Sequence, residues 1–177
     1  MNLAGLLRSV LSALTPRTTV SDAKTTSGPG RQRPSTASVS PGQGGRDKTV
    51  EVPLSALVRA RIRFAPRRDG SPDPGEVVWT WVPYEENDGR GKDRPVVIVA
   101  RDGADAALGV YLTSKPHDAD KQHFAYVGPG AWDSQGRPSW ARLDRAFRVY
   151  DSGMRREAAA LDSAQFDAIA KALKARL

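Results

Sequence analysis

The chain has 177 residues, with 27 Lys and Arg against 20 Asp and Glu, and no cysteine. That length suits one domain with an appendage. The lack of cysteine excludes a disulfide scaffold, a zinc ribbon and a thiol nucleophile, and fits a reducing, cytoplasmic setting. No run of 18 apolar residues exists, so no membrane-spanning helix is expected. The charge is unevenly placed: residues 1–50 hold seven Lys/Arg and two Asp/Glu, whereas the rest of the chain holds twenty and eighteen. All of the aromatic residues fall between Phe64 and Phe166. A basic tail is joined to a nearly neutral body that carries every large ring.

In chain order, Leu3, Leu6, Leu7, Val10, Leu11 and Leu14 mark one helical face over residues 1–14. No basic residue precedes this stretch, Arg8 interrupts it and no small-x-small site follows, so a signal peptide is not expected. Two readings fit: a short helix too small to be stable alone, and a helix that docks on a membrane or partner. The first is favoured, because a polar face with one Arg is a poor lipid anchor. Residues 15–48 are rich in Ser, Thr, Pro, Gly and Arg, and almost free of large apolar side chains. They are read as a disordered linker that cannot offset its ordering entropy.

Residues 49–71 read as an extended lead-in. Short alternating stretches run from Val50 to Phe64, with Leu57, Arg59, Arg61 and Arg63 set against Val58, Ala60, Ile62 and Phe64. Pro72, Pro74 and Gly75 make a turn. Glu76–Val82 is a predicted strand with Val77, Trp79 and Trp81 on one face. Pro83–Asp93 is a polar loop. Pro95–Ala100 is a β-branched run of the kind buried on both faces. Leu108–Thr113, Gln122–Val127 and the stretch Ser139–Tyr150 supply further strands. The chain closes with a helix. Asp162 and Gln165 have capping-box spacing, Leu161 and Phe166 fit a hydrophobic staple, and Phe166, Ile169, Ala170 and Leu173 form its apolar stripe. Many short strands and one terminal helix predict a mainly β fold, a small and strongly bent barrel.

Four stretches of this body resemble one known family. Pro74-Gly75-Glu76-Val77-Val78-Trp79 is similar to its opening strand. Asp93-Arg94-Pro95-Val96-Val97-Ile98-Val99 is similar to its R-P strand. Leu112-Thr113-Ser114 resembles its T-S motif, and Arg142-Leu143-Asp144 its R-x-D. In this order and spacing they resemble the PemK/MazF (Kid-like) toxins of type II toxin–antitoxin systems, from about residue 72 to the end. The resemblance implies an SH3-like β-barrel over residues 72–177. It also implies a homodimeric, metal-independent endoribonuclease that cuts single-stranded RNA. An antitoxin protein would occupy the same groove, and operator DNA would be met through the toxin–antitoxin complex.

Metal-free RNA cleavage needs a base for the ribose 2′-OH, donors for the charged phosphorane and an acid for the leaving oxygen. The resemblance puts Asp144 forward as base. Arg142, two residues away, would share a strand face with it and clamp the phosphate. Arg94, a guanidinium at the entry to a buried strand, and Thr113 form the second half of the catalytic set. Glu76, Ser114, Arg145 and His117 are candidate substrate-binding residues. Each has a plainer reading: Asp144 paired with Arg142 or Arg145, Thr113 and Ser114 as strand-end hydroxyls closing a turn, Glu76 as a sheet-edge carboxylate, and His117 as a loop histidine. His117 and His123 lie six apart with no third ligand, so neither a metal nor any other cofactor is expected. Two departures stand out. The Pro83–Asp93 loop carries Glu85, Glu86 and Asp88 where Kid-like relatives carry a histidine, and Arg145 replaces a glutamine. The RNA field is therefore expected to be local, built by Arg94, Arg142, Arg145 and Arg148 around one groove. The alternative is a barrel of the same fold that binds nucleic acid or an antitoxin without cutting.

Overall fold

Eight strands and two α-helices follow one another in a computed structural model that describes residues 39–67, 71–115 and 118–177. The amphipathic stretch at residues 1–14, most of the linker and His117 lie outside the described residues. The elements are β1 (Val50–Val52), α1 (Ser55–Val58), β2 (Glu76–Pro83), β3 (Gly91–Arg101), β4 (Ala106–Thr113), β5 (Phe124–Gly128), β6 (Ser139–Arg142), β7 (Ala146–Tyr150), β8 (Arg155–Ala160) and α2 (Ser163–Lys174).

One antiparallel sheet has the order β1-β7-β4-β3-β2-β8. It does not close: β1 and β8 are its two edges. The fold is mainly β with a C-terminal helix, and the expected barrel is realised as a bent, barrel-like sheet. Bending is built in by register shifts between Ile98 and Ala100 in β3 and between Val77 and Val78 in β2. Strand β4 serves two sheets. Its first half, Ala106–Gly109, pairs with β7, and its end, Leu112 and Thr113, pairs with β6, which in turn pairs with β5.

The apolar run in β3 is buried on both faces, as expected. Val97 and Val99 point into one core with Val77, Val110, Leu112 and the stripe of α2. Val96 and Ile98 point into a second core with Val78, Tyr111, Phe147 and Val149. Alternation along the strand sends successive side chains to opposite sides. The capping box of α2 forms in full: Asp162 accepts from Gln165 N at 2.8 Å, and Gln165 Oε1 accepts from Asp162 N at 3.0 Å. Phe166, Ile169 and Leu173 are almost wholly buried, each contributing about 1.5–3 kcal/mol of apolar burial.

Several expectations need correction. Residues 39–48, the last part of the stretch read as linker, are folded onto the body. Gly42, at φ +77°, presses so closely on Thr49, Thr80 and the Gly153 carbonyl that any Cβ would collide with them. Thr49 and Thr80 are fully buried, their hydroxyls 2.7 Å apart, and Thr80 also donates to Gly153 O at 2.7 Å. Trp81 N donates to Pro41 O at 2.9 Å, so this turn-rich segment docks along β2. The alternation from Val50 to Phe64 is not a continuous extended run: Ser55–Val58 is a helical turn that buries Leu57. The polar loop is shorter than expected, spanning only residues 84–90 between β2 and β3. Strand β8 was not foreseen.

Candidate functional site

A cleft of about 1010 Å³ opens beside β2, β3, β4 and β6. It brings together five of the predicted site residues: Arg94, Thr113, Ser114, Arg142 and Arg145. Arg94 stands in β3 opposite Thr80, and its guanidinium lies 4.8 Å from the centre of the Tyr111 ring. Among the described residues it has no ion-pair partner. Such stacking holds a cation in place and leaves its edge donors exposed. Thr113 ends β4, and its Oγ1 accepts from Lys115 N at 3.2 Å, which is the local turn of the plainer reading. Ser114 follows on the cleft wall.

Arg142 closes β6 and is 9% exposed. Its Nε donates to Asp144 Oδ1 at 2.6 Å and its Nη2 to Oδ2 at 2.9 Å, a bidentate pair. Asp144 is not on the strand, as expected from the two-residue spacing, but in the bend between β6 and β7. The bend folds its carboxylate back onto the guanidinium, so the two groups meet all the same. Asp144 touches the cleft through Arg142. Two further carboxylates face the same guanidinium: Glu85 at 3.1 Å from Nη2 and Asp120 at 4.0 Å from Nη1. The Phe124 ring backs it, with the guanidinium carbon 5.2 Å from the ring centre.

His123 stands on the other side of Asp144. Its Nδ1 is 3.3 Å from Oδ2 but off the hydrogen-bonding line, and that buried nitrogen is otherwise unpartnered. The bond from Leu143 N to His123 O, at 2.8 Å, docks the 3₁₀ turn Asp118–His123 against the bend. Partial burial pushes the Asp144 carboxyl up, but the hydrogen bonds and charge of Arg142 outweigh it and hold Asp144 below the usual carboxylate range. The Asp144 hydrogen bonds in turn keep Arg142 protonated well above the ordinary arginine value. Arg142 is therefore a fixed cation, unsuited to donating a proton.

The remaining expectations divide. Arg145 lines the cleft with much of its guanidinium engaged: Nε and Nη2 bind Glu51 at 3.0 and 2.5 Å, and Nη2 binds Pro83 O at 3.1 Å. Burial opposes its charge, and Glu51 more than restores it. Arg145 is an anchor that ties β1 to the rim of β2, not a free phosphate ligand. Arg148 does not join the groove; it pairs with Asp102. Glu76 is off the cleft and pairs with Arg156 at 2.7 Å. Of the four arginines expected to build the RNA field, Arg94, Arg142 and Arg145 line the cleft, and the acids of the cleft nearly balance its cations. Sequence reasoning missed Tyr111, which the period-two step back from Thr113 places on the same strand face. It also missed His123, whose approach to Asp144 has no local signal.

Among the described residues, no helix is long and apolar enough to cross a membrane. A search of curated proteins finds no match. A family model described as "PemK-like, MazF-like toxin of type II toxin-antitoxin system" matches residues 73–177, roughly three-fifths of the chain, and those residues supply β2 to α2 and every wall of the cleft described above. The chain therefore belongs to the PemK/MazF family of toxins of type II toxin–antitoxin systems.

Proposed function

We propose that the chain is a metal-independent endoribonuclease that cuts single-stranded RNA by attack of the ribose 2′-OH on the adjacent phosphate. The observation that supports this most is the presence in one cleft of a ring-stacked Arg94, without an ion-pair partner among the described residues, and a carboxylate-bound Arg142. Two guanidiniums facing a shared space suit a phosphate whose charge grows in the transition state. In this reading Arg94 and Arg142 clamp the phosphate, and the Thr113 and Ser114 hydroxyls orient it. Asp144 takes the 2′-OH proton once the phosphate draws Arg142 away from one of its two hydrogen bonds. As the bond from phosphorus to the 5′-oxygen breaks, solvent water protonates that oxygen, leaving a 2′,3′-cyclic phosphate and a 5′-hydroxyl. The active form is a homodimer in the cytoplasm, and an antitoxin segment binds the same cleft. Operator DNA is reached through that complex.

The test is to incubate the purified chain with single-stranded RNAs of varied sequence in EDTA and map the product ends. Cleavage with a cyclic phosphate end, lost in Arg94→Ala and in Asp144→Ala, is the expected result. No cleavage in any sequence context would overturn the enzyme reading. It would favour the second reading, a barrel that binds without cutting, for which the occupied fork of Arg142 speaks. Cleavage surviving both substitutions would move the active site elsewhere.

A further inference from the structure

Arg142 meets the cleft with Nε and Nη2 already engaged, and Asp120 lies 4.0 Å from Nη1. Asp144, its neighbour in sequence, holds Nε and Nη2 from behind and sets the guanidinium plane. Glu85 comes from elsewhere: the turn between β2 and β3, on the opposite rim. Its Oε1 lies 3.1 Å from Arg142 Nη2. The turn that carries it is well built. Tyr84 N donates to Arg90 O at 3.0 Å and Asn87 N to Tyr84 O at 3.1 Å, with Asn87 in the left-handed region that Asn tolerates. Within the turn, Asp88 is paired with Arg90 at 2.6 Å. Glu85 instead finds its cation across the cleft.

A carboxylate and a phosphodiester compete for the same edge of a guanidinium. The Glu85 side chain is 61% exposed and that of Arg142 only 10%. The acid has far more room to move than the enclosed cation, so their contact suits a reversible guard better than a structural bridge. We propose that Glu85 is an internal competitor for phosphate, occupying the edge of Arg142 that RNA takes, so that RNA binds by displacing it. This rests on the reading that the cleft accepts RNA.

The experiment measures binding of a fully 2′-O-methylated single-stranded oligonucleotide, which cannot be cut, to the full chain over a range of salt. Glu85→Gln is expected to tighten binding about two- to fivefold, the modest range of an exposed ion pair. It should also steepen the log–log salt dependence by up to about 0.7, because in the parent the displaced carboxylate takes up a cation that offsets one released from the single strand. Glu86→Gln removes a neighbouring exposed carboxylate that makes no ion pair among the described residues, and should leave that slope unchanged. With Arg142→Ala in place, the gain from Glu85→Gln should vanish. Equal affinity and slope for Glu85→Gln and the parent, both binding, would overturn the competitor role and leave the RNA reading intact. An equal gain from Glu86→Gln, or a gain that persists without Arg142, would reduce the effect to general charge and also overturn it. If neither the parent nor Glu85→Gln binds RNA at low salt, both readings fall.

Discussion

The two arginines of the cleft are held in opposite ways. Arg94 rests on the face of Tyr111 and, among the described residues, meets no carboxylate. Arg142 is nearly buried, gripped by Asp144 and faced by Glu85 and Asp120. A ring restrains a cation without neutralising it, whereas a carboxylate restrains it by satisfying it. The first arrangement leaves a ligand ready. The second stabilises the fold and makes the ligand conditional on a displacement.

Four measurements would break or sharpen this contrast, in descending order of expected effect. Arg94→Ala should lower the rate of RNA cleavage by about 100- to 1000-fold, the scale of losing one transition-state donor. Its melting temperature should stay close to that of the parent. Arg94→Lys should recover little, since an ammonium lacks the planar edge that stacks and bridges. A large drop in melting temperature for Arg94→Ala would erase the distinction.

Arg142→Ala should instead lower stability as well as activity, by about 1–2 kcal/mol, a buried-pair cost discounted for partial exposure. Denaturant unfolding reads this directly. A change within error would mean that the pair adds nothing to the fold.

The third measurement is pH. The folded-state pKa of Asp144 lies below its unfolded value. Its stabilising contribution is therefore complete above the unfolded Asp value of about 3.9 and is lost as pH falls through the lower folded value. Asp144→Asn should remove that part of the acid-induced loss of stability and show little difference in slope from the parent near neutrality. An unchanged acid limb in the variant would show that the pair does not form.

The smallest effect concerns the tail. Removing residues 1–38 should weaken non-specific RNA binding and its salt dependence, because it deletes five Lys/Arg and one Asp, and should spare cleavage. Removing residues 1–50 is a different operation. It takes away Gly42 and Thr49, which pack on Thr80 and Gly153, and should destabilise the body. If both deletions behaved alike, the segment from residue 39 would have no structural role.

What the chain reveals before folding follows the range of its interactions. The β-branched run of β3, the capping box of α2 and the ordered motifs around Arg94, Thr113 and Arg142 are local patterns, and all are visible in the linear chain. The pairs that decide the site are not local. Glu51 meets Arg145 across 94 positions, and Glu85 reaches Arg142 from another rim. A string of residues shows each charge but not its partner. For this reason Arg145 and Arg148 look like free phosphate ligands although both are taken. Strand β8, with its Arg, Glu and Ala, has weak intrinsic strand preference and is extended because β2 offers it an edge. Residues 39–48 have the composition of a linker. Their order depends on one glycine fitting where no side chain can, which composition does not encode.

Strand β4 passes from one sheet to the other between Gly109 and Leu112. Arg94 belongs to the sheet on one side of that passage and Arg142 to the sheet on the other. The cleft is thus a jaw whose two plates share a spine. Any anion long enough to hold both arginines bridges the two ladders across the strand they share.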